Sequence, residues 1–177
     1  MRLLSVFASL SIATLVAGCV APSQPPPRPA PPVAVPAPAP TPAPAPPPRS
    51  ADWRDWPPTP GNWSWRPEGQ GSVATFGLPG QAPELTLRCD RSRSRILLSR
   101  RGQLSAPTLI VRTTSQARTL AVTAATTGAS AELGVRDALV DAMGYSRGRF
   151  VIEGGGMPIL VAPAWAEILR VAEDCRG

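Results

Sequence analysis

The sequence predicts a mainly β domain of the α+β class: a small antiparallel sheet, sandwich or barrel-like, with a short helix and a C-terminal amphipathic helix. Short apolar or alternating runs recur between residues 63 and 162, separated by glycines or polar turn signals. An apolar stripe at helical spacing follows them. In addition, 15 of the 24 prolines lie between positions 22 and 48, which excludes that stretch from a packed core and leaves residues 51–177 as one small domain.

The N-terminus carries the features of an export signal. An apolar run from Leu3 to Leu15 has signal-peptide length and is too short to span a bilayer. The run closes with Val16-Ala17-Gly18-Cys19, which resembles the lipobox of bacterial lipoproteins. This resemblance implies a signal peptide over 1–18 and lipidation of Cys19, whereas the alternative is an ordinary secretory signal with an unrelated cysteine. In the bacterial lipoproteins that this segment resembles, an aspartate directly after the lipidated cysteine tends to retain the protein at the inner membrane. Val20 occupies that position here, so the resemblance implies a lipid-anchored envelope protein at the outer membrane, facing the periplasm.

Residues 19–50 form a predicted linker between the anchor and the domain. The segment is almost entirely proline and alanine, and it offers little apolar surface to offset the entropy of ordering. Proline favours extended polyproline II geometry, so we interpret the segment as a spacer. The alternative is a ligand for a proline-recognition module.

The strands of the domain are predicted from alternation. Trp63 and Trp65 flank Ser64 at strand spacing, which places both indoles on one face. Leu85, Leu87 and Cys89 likewise share a face. Further candidate strands cover 72–76, 96–98, 109–112, 118–122 and 131–135, and a hairpin pairs 149–152 with 159–162 across a triple-glycine turn.

Two helices are predicted in the second half of the domain. The segment 136–143 is a short candidate helix that ends at Gly144. The second is expected to begin at Pro163 and to continue to Arg176. Its predicted apolar stripe consists of Trp165, Ile168, Leu169 and Ala172.

Three cysteines limit the thiol chemistry. If Cys19 is lipidated, Cys89 and Cys175 are the remaining pair, and in an oxidising compartment we expect them to form a disulfide. The alternative is a reactive thiol at Cys89, beside Arg88 and Arg91.

The composition excludes several kinds of catalysis. All 18 basic residues are arginine, so the chain has neither histidine nor lysine. Serine–histidine triads, histidine-ligated metals and Schiff bases are therefore excluded, and we expect no cofactor and no metal. The remaining acid–base candidates are carboxylates such as Asp90, Asp137, Asp141 and Glu153. Since no pattern places two of them across a cleft, a carboxylate-based hydrolase is only an alternative to a protein without enzymatic activity.

Two segments are candidate binding surfaces. One is an arginine cluster within 14 residues, where planar guanidinium groups suit phosphates and carboxylates; it comprises Arg88, Arg91, Arg93, Arg95, Arg100 and Arg101. The other holds four of the five tryptophans, Trp53, Trp56, Trp63 and Trp65, which would stack on sugars if exposed. The alternatives are a solvated charged hairpin and a buried tryptophan core.

Several segments together resemble known exported proteins. These are Leu85–Cys89, Arg136–Met143, Ser146–Phe150 and Glu173–Arg176. Their order resembles uncharacterised exported lipoproteins of alphaproteobacteria and, more distantly, the invasion-associated locus B family and a type VI secretion accessory family. The resemblance covers about residues 52–176 and implies a disulfide-tied β domain in the envelope. It transfers no active-site residue, and the invasion-associated family has additional cysteines that this chain lacks.

Together these observations predict a membrane-anchored envelope lipoprotein with a structural or binding role. Its expected partner is an anionic envelope polymer such as lipopolysaccharide or peptidoglycan. Nucleic acid is not expected, because lipidation would place the domain outside the cytosol. The alternative is an accessory or inhibitor module of an envelope enzyme or secretion complex.

Overall fold

A computed structural model describes residues 50–177 of the chain. The predicted signal peptide, Cys19 and all of the predicted linker except Ser50 lie outside these residues. The described part begins with a 3₁₀ turn at Trp53–Asp55, capped by the Asp52 carboxylate, which accepts a hydrogen bond from the backbone amide of Arg54.

Ten antiparallel strands form two sheets in residues 50–177. The six-stranded sheet has the order β1-β2-β3-β4-β8-β7, and the four-stranded sheet has the order β10-β9-β5-β6. Together with the helices below, this confirms the predicted mainly β, α+β class. The strand bounds are β1 Asn62–Glu68, β2 Gly71–Gly77, β3 Leu85–Asp90, β4 Arg95–Arg101, β5 Thr108–Arg112, β6 Ala117–Ala121, β7 Thr123–Ala125, β8 Gly128–Gly134, β9 Arg149–Gly154 and β10 Met157–Pro163.

Strand alternation builds the core. In β3 the buried residues are Leu85, Leu87 and Cys89, as their spacing predicts, and in β4 they include Ile96 and Leu98. One apolar cluster joins these residues to buried side chains of both sheets and both helices. In β2 the residues of this cluster are Ala74 and Phe76, whose side chains alternate with those of Val73 and Thr75.

Two helices in the described part of the chain pack against each other, and the C-terminal one lies on the inner face of the six-stranded sheet. Helix α1, Ala138–Gly144, begins after Asp137, whose carboxylate accepts a hydrogen bond from the amide of Leu139. Helix α2, Ala166–Arg176, buries Ile168, Val171, Ala172 and Cys175. A disulfide joins Cys175 to Cys89 on the inner face of β3, with 5.4 Å between the two Cα atoms. The predicted pairing is therefore present, and neither thiol is free.

Two details of the predicted C-terminal helix are wrong. Pro163 does not start the helix; it ends β10, where it lies opposite Arg149. The helix begins three residues later, at Ala166, so Trp165 precedes it and stays 44% exposed. The buried stripe consequently runs through Val171 and Cys175 in place of Trp165 and Leu169.

Candidate functional site

The outward face of the six-stranded sheet carries an uninterrupted row of hydroxyl groups. The register places Ser64 opposite Thr75, then Thr75 opposite Thr86, and Thr86 opposite Ser99. Ser99 lies opposite Ser130, which in turn lies opposite Thr123. We call these six residues the hydroxyl row: Ser64, Thr75, Thr86, Ser99, Ser130 and Thr123.

The hydroxyl row is accessible over its whole length. Ser64 and Thr123 at its two ends are exposed, and the four residues between them are partly exposed. Side-chain hydrogen bonds join neighbours at two points, with 2.8 Å between the hydroxyl oxygens of Ser64 and Thr75 and 3.4 Å between those of Ser99 and Ser130. The sequence did not indicate this row, because its members lie on six strands that only the pairing order brings together.

A second outward row, which we call the charged row, runs beside the hydroxyl row. It consists of Arg66, Val73, Arg88, Leu97 and Glu132. Arg66 and Arg88 are both more than half exposed, and both pair with Glu68, at 2.8 Å and 2.5 Å. Two guanidinium groups thus share one carboxylate, which leaves a surplus of positive charge on this edge of the hydroxyl row.

The turn between β3 and β4 adds three exposed arginines. Arg93 pairs with Glu132 at 2.8 Å, and the side chain of Arg91 donates a hydrogen bond to the carbonyl of Asp174 in α2. Arg95 donates to the neighbouring Ser94 carbonyl. In the described part of the chain, neither Arg91 nor Arg95 has an ion pair with a carboxylate, so both keep charge that a ligand could use.

Asp90 organises this turn. Its carboxylate accepts hydrogen bonds from the hydroxyl of Ser92 at 2.6 Å and from the amide of Arg93 at 3.2 Å. These bonds, the one from Ser92 above all, lower the pKa of Asp90. A shallow pocket of about 480 Å³ lies against the turn and is lined by Glu68, Gly69, Gln70, Gly71, Arg88, Cys89, Asp90, Arg91, Ser92 and Leu97.

The other end of β4 does not belong to this surface. Arg100 was grouped with the exposed arginines, but strand alternation turns it inward, where it is only 4% exposed. It donates to the Glu84 carboxylate at 2.6 Å and to three backbone carbonyls. Burial lowers its pKa from the ordinary guanidinium value. Arg101 pairs with the same carboxylate, so this end of the predicted cluster is a structural ion-pair site.

The tryptophan segment does not form one exposed platform. Trp63 and Trp65 share the inner face, as predicted; Trp63 is buried against Phe76, and its indole donates to the Pro163 carbonyl. The ring of Trp65 is half-buried, with the guanidinium of Arg170 3.6 Å from its centroid. Trp53 and Trp56 are likewise only partly exposed. Trp63 is therefore a core residue and not part of an exposed aromatic platform.

Three of the four carboxylates considered for acid–base chemistry pair with arginine side chains, whereas Asp90 accepts hydrogen bonds from Ser92 and from the amide of Arg93. Arg118 makes two hydrogen bonds to Asp137, at 2.7 Å and 2.8 Å, and these lower the pKa of Asp137 despite the opposing effect of burial. Asp141 pairs with Arg176, and Glu153 pairs with Arg112. A general acid at neutral pH needs a raised pKa, which is the opposite of what Asp90 and Asp137 have.

In comparisons with known proteins, no family model, curated protein or solved structure matches this chain. The resemblance to exported lipoproteins therefore stays a prediction. Within residues 50–177, no helix is both long and apolar enough to cross a membrane.

Proposed function

We propose that this protein is a lipid-anchored envelope lipoprotein whose disulfide-closed β domain binds an anionic envelope polymer without catalysis. The observation that carries the binding proposal is the outward face of the six-stranded sheet together with the β3–β4 turn. Five exposed arginines cluster there, and the nearby carboxylates are those of Glu68, Asp90 and Glu132. The arginines are Arg66, Arg88, Arg91, Arg93 and Arg95. Arginine binds carboxylates and phosphates through paired N–H donors; peptidoglycan carries carboxylates, and lipopolysaccharide carries both groups.

The anchor belongs to the same proposal. It depends on the sequence Val16–Cys19 alone, since these residues lie outside the described part of the chain. On this proposal, acyl chains on Cys19 hold the protein at the outer membrane, and the Pro/Ala linker carries the domain into the periplasm. The substitution Cys19→Ser should release the protein from the membrane fraction, and membrane association that survives it would contradict the anchor.

The binding proposal is tested with full-length protein in mild detergent and with its disulfide intact. The probes are peptidoglycan sacculi and lipopolysaccharide, at low and at high salt. The variant Arg88→Gln/Arg95→Gln should weaken binding at low salt roughly tenfold, because each exposed charge contributes about 1 kcal/mol or less. The matched control is Arg54→Gln/Arg147→Gln, which removes the same charge from exposed positions elsewhere.

The two variants separate a local surface from a general effect of charge. Equal losses in both pairs would show that only net charge matters, which contradicts a binding face. Retention of neither polymer by the unmodified protein would contradict the proposed function itself.

A second candidate function is an accessory or inhibitor module of an envelope enzyme or secretion complex. The observation that favours it is an exposed apolar group where α1 ends and α2 begins. Tyr145 is 73% exposed and Trp165 is 44% exposed. Leu169 packs so closely on Gly144, the neighbour of Tyr145, that a Cβ on that glycine would lie 2.4 Å from it. Exposed aromatic residues of this kind are typical of protein interfaces.

A further inference from the structure

The hydroxyl row is more uniform than the fold requires. An outward position on a sheet accepts many kinds of residue. The neighbouring charged row, for example, mixes arginine, valine, leucine and glutamate. In contrast, all six strands contribute serine or threonine at one level of the sheet. Strands lie about 4.8 Å apart, so the row extends about 24 Å across the strands.

The chemistry of the row matches a ligand that is itself rich in hydroxyl groups. Each serine or threonine hydroxyl can donate one hydrogen bond and accept others, and sugar hydroxyls have the same dual capacity. A polyphosphate offers acceptors alone, and an apolar ligand would bury these hydroxyls without partners, at a cost in free energy. A single-stranded nucleic acid would need exposed aromatic rings for base stacking, and the row has none.

The side chains on either side of the hydroxyl row indicate where the acidic groups of a ligand would lie. Arg66 and Arg88 lie along one edge and exceed their shared partner Glu68 in charge. The opposite edge has short side chains or none at Asn62, Gly77 and Gly128, and the exposed Arg101 on this edge is paired with Glu84. A pocket of about 340 Å³ lies beside Ser64 and Thr75, at one end of the row, and reaches the loop before β3.

From this geometry we propose that the hydroxyl row binds a linear polysaccharide that lies across the six strands, with its acidic groups toward Arg66 and Arg88. This inference rests on the proposed function and names its substrate class. A linear glycan strand can follow a continuous row of hydroxyls across a sheet, whereas the clustered phosphates of a lipid headgroup need only the arginines.

The experiment compares two soluble polyanions with the full-length protein in detergent. Polygalacturonate is a linear polysaccharide with carboxylates and free hydroxyls, and polyphosphate is a linear polyanion without sugar hydroxyls. The variant Thr75→Val/Thr86→Val keeps the shape and β-propensity of both side chains but removes both hydroxyls. We expect it to lower the affinity for polygalacturonate roughly tenfold and to leave the affinity for polyphosphate unchanged.

The matched control is Thr108→Val/Thr119→Val, which removes two exposed hydroxyls from the outward face of the four-stranded sheet. It should leave both affinities unchanged. Ser130→Ala, farther along the row, should also lower the affinity for polygalacturonate, by a few-fold. Urea unfolding of each variant verifies that the protein is folded.

The outcomes separate this inference from the proposed function. Suppose that Thr75→Val/Thr86→Val binds polygalacturonate like the unmodified protein while Arg88→Gln/Arg95→Gln does not. The hydroxyl row is then not the binding site, and the proposed binding through the exposed arginines is supported. An equal loss of affinity for polygalacturonate in Thr108→Val/Thr119→Val would also contradict binding at the hydroxyl row. If the unmodified protein binds neither polyanion at low salt, both proposals fail.

Discussion

The two faces of the six-stranded sheet place arginine in opposite environments. On the inner side, Arg100 is 4% exposed and donates four hydrogen bonds to Glu84 and to backbone carbonyls. On the outer side, Arg66 and Arg88 are more than half exposed and share the single carboxylate of Glu68. Removing a buried arginine leaves acceptors without donors, whereas water replaces the partners of an exposed one. We therefore expect the inner arginine to contribute to stability, whereas the outer ones are free to contribute to the binding that we propose.

The largest expected effect on the inner side is that of the disulfide. The bond closes a loop over a sequence separation of 86 residues. In the chain-entropy model such a loop contributes up to about 4.6 kcal/mol, and measured losses for native bonds run to about 2–5 kcal/mol. We expect Cys89→Ala/Cys175→Ala to lower the free energy of unfolding within this range, as measured by urea denaturation. A loss below about 1 kcal/mol would show that α2 is held without the bond.

The next effect is that of the buried arginine. Arg100→Met should lower the free energy of unfolding by about 3 kcal/mol, because the buried guanidinium donates four hydrogen bonds, to the Glu84 carboxylate and to three carbonyls, and all four are lost. Arg101→Met is the matched control, since Arg101 pairs with the same carboxylate but is 42% exposed. It should cost less than about 1 kcal/mol. Equal losses for the two variants would remove the distinction between inner and outer arginines.

The smallest effect concerns a half-buried pair and depends on pH. The hydrogen bonds from Arg118 lower the pKa of Asp137 in the folded protein, so its stabilisation is present above the unfolded pKa of about 3.9 and is lost as the pH falls through the folded value. Asp137→Asn keeps a capping side chain at the start of α1 but removes the charge. It should cost about 1 kcal/mol at pH 7, and the difference should shrink toward pH 2. A difference independent of pH would exclude the ion pair as its source.

Much of the sheet could be predicted because alternation is local. The buried residues of β3 follow from Leu85, Leu87 and Cys89 alone. The strand β7 was not predicted, because its sequence Thr-Ala-Ala has no apolar alternation and its pairing with β8 defines it. The start of α2 was misplaced because proline suits both the first turn of a helix and the end of an edge strand, and Pro163 lies in edge strand β10.

The proposed binding surface was harder to predict, for two physical reasons. Six arginines within 14 residues suggest one patch, but alternation along β4 turns Arg100 inward while Arg95 and Arg101 stay exposed. The hydroxyl row depends on which strands pair: β4 lies beside β8, which is distant in sequence, and β5 belongs to the other sheet. Single serines and threonines in separate strands carry no signal until that order is known.

Arginine footprinting tests the proposed binding face on the six-stranded sheet most directly. Because every basic residue of this chain is arginine, an arginine-selective dicarbonyl reagent reports on all basic side chains in one experiment. The full-length protein is modified with and without polygalacturonate, and each site is quantified by mass spectrometry. We expect the polymer to protect Arg66, Arg88 and Arg95, while Arg54 and Arg147 react equally in both samples. Protection confined to Arg147, or uniform across all exposed arginines, would contradict a binding face on the six-stranded sheet.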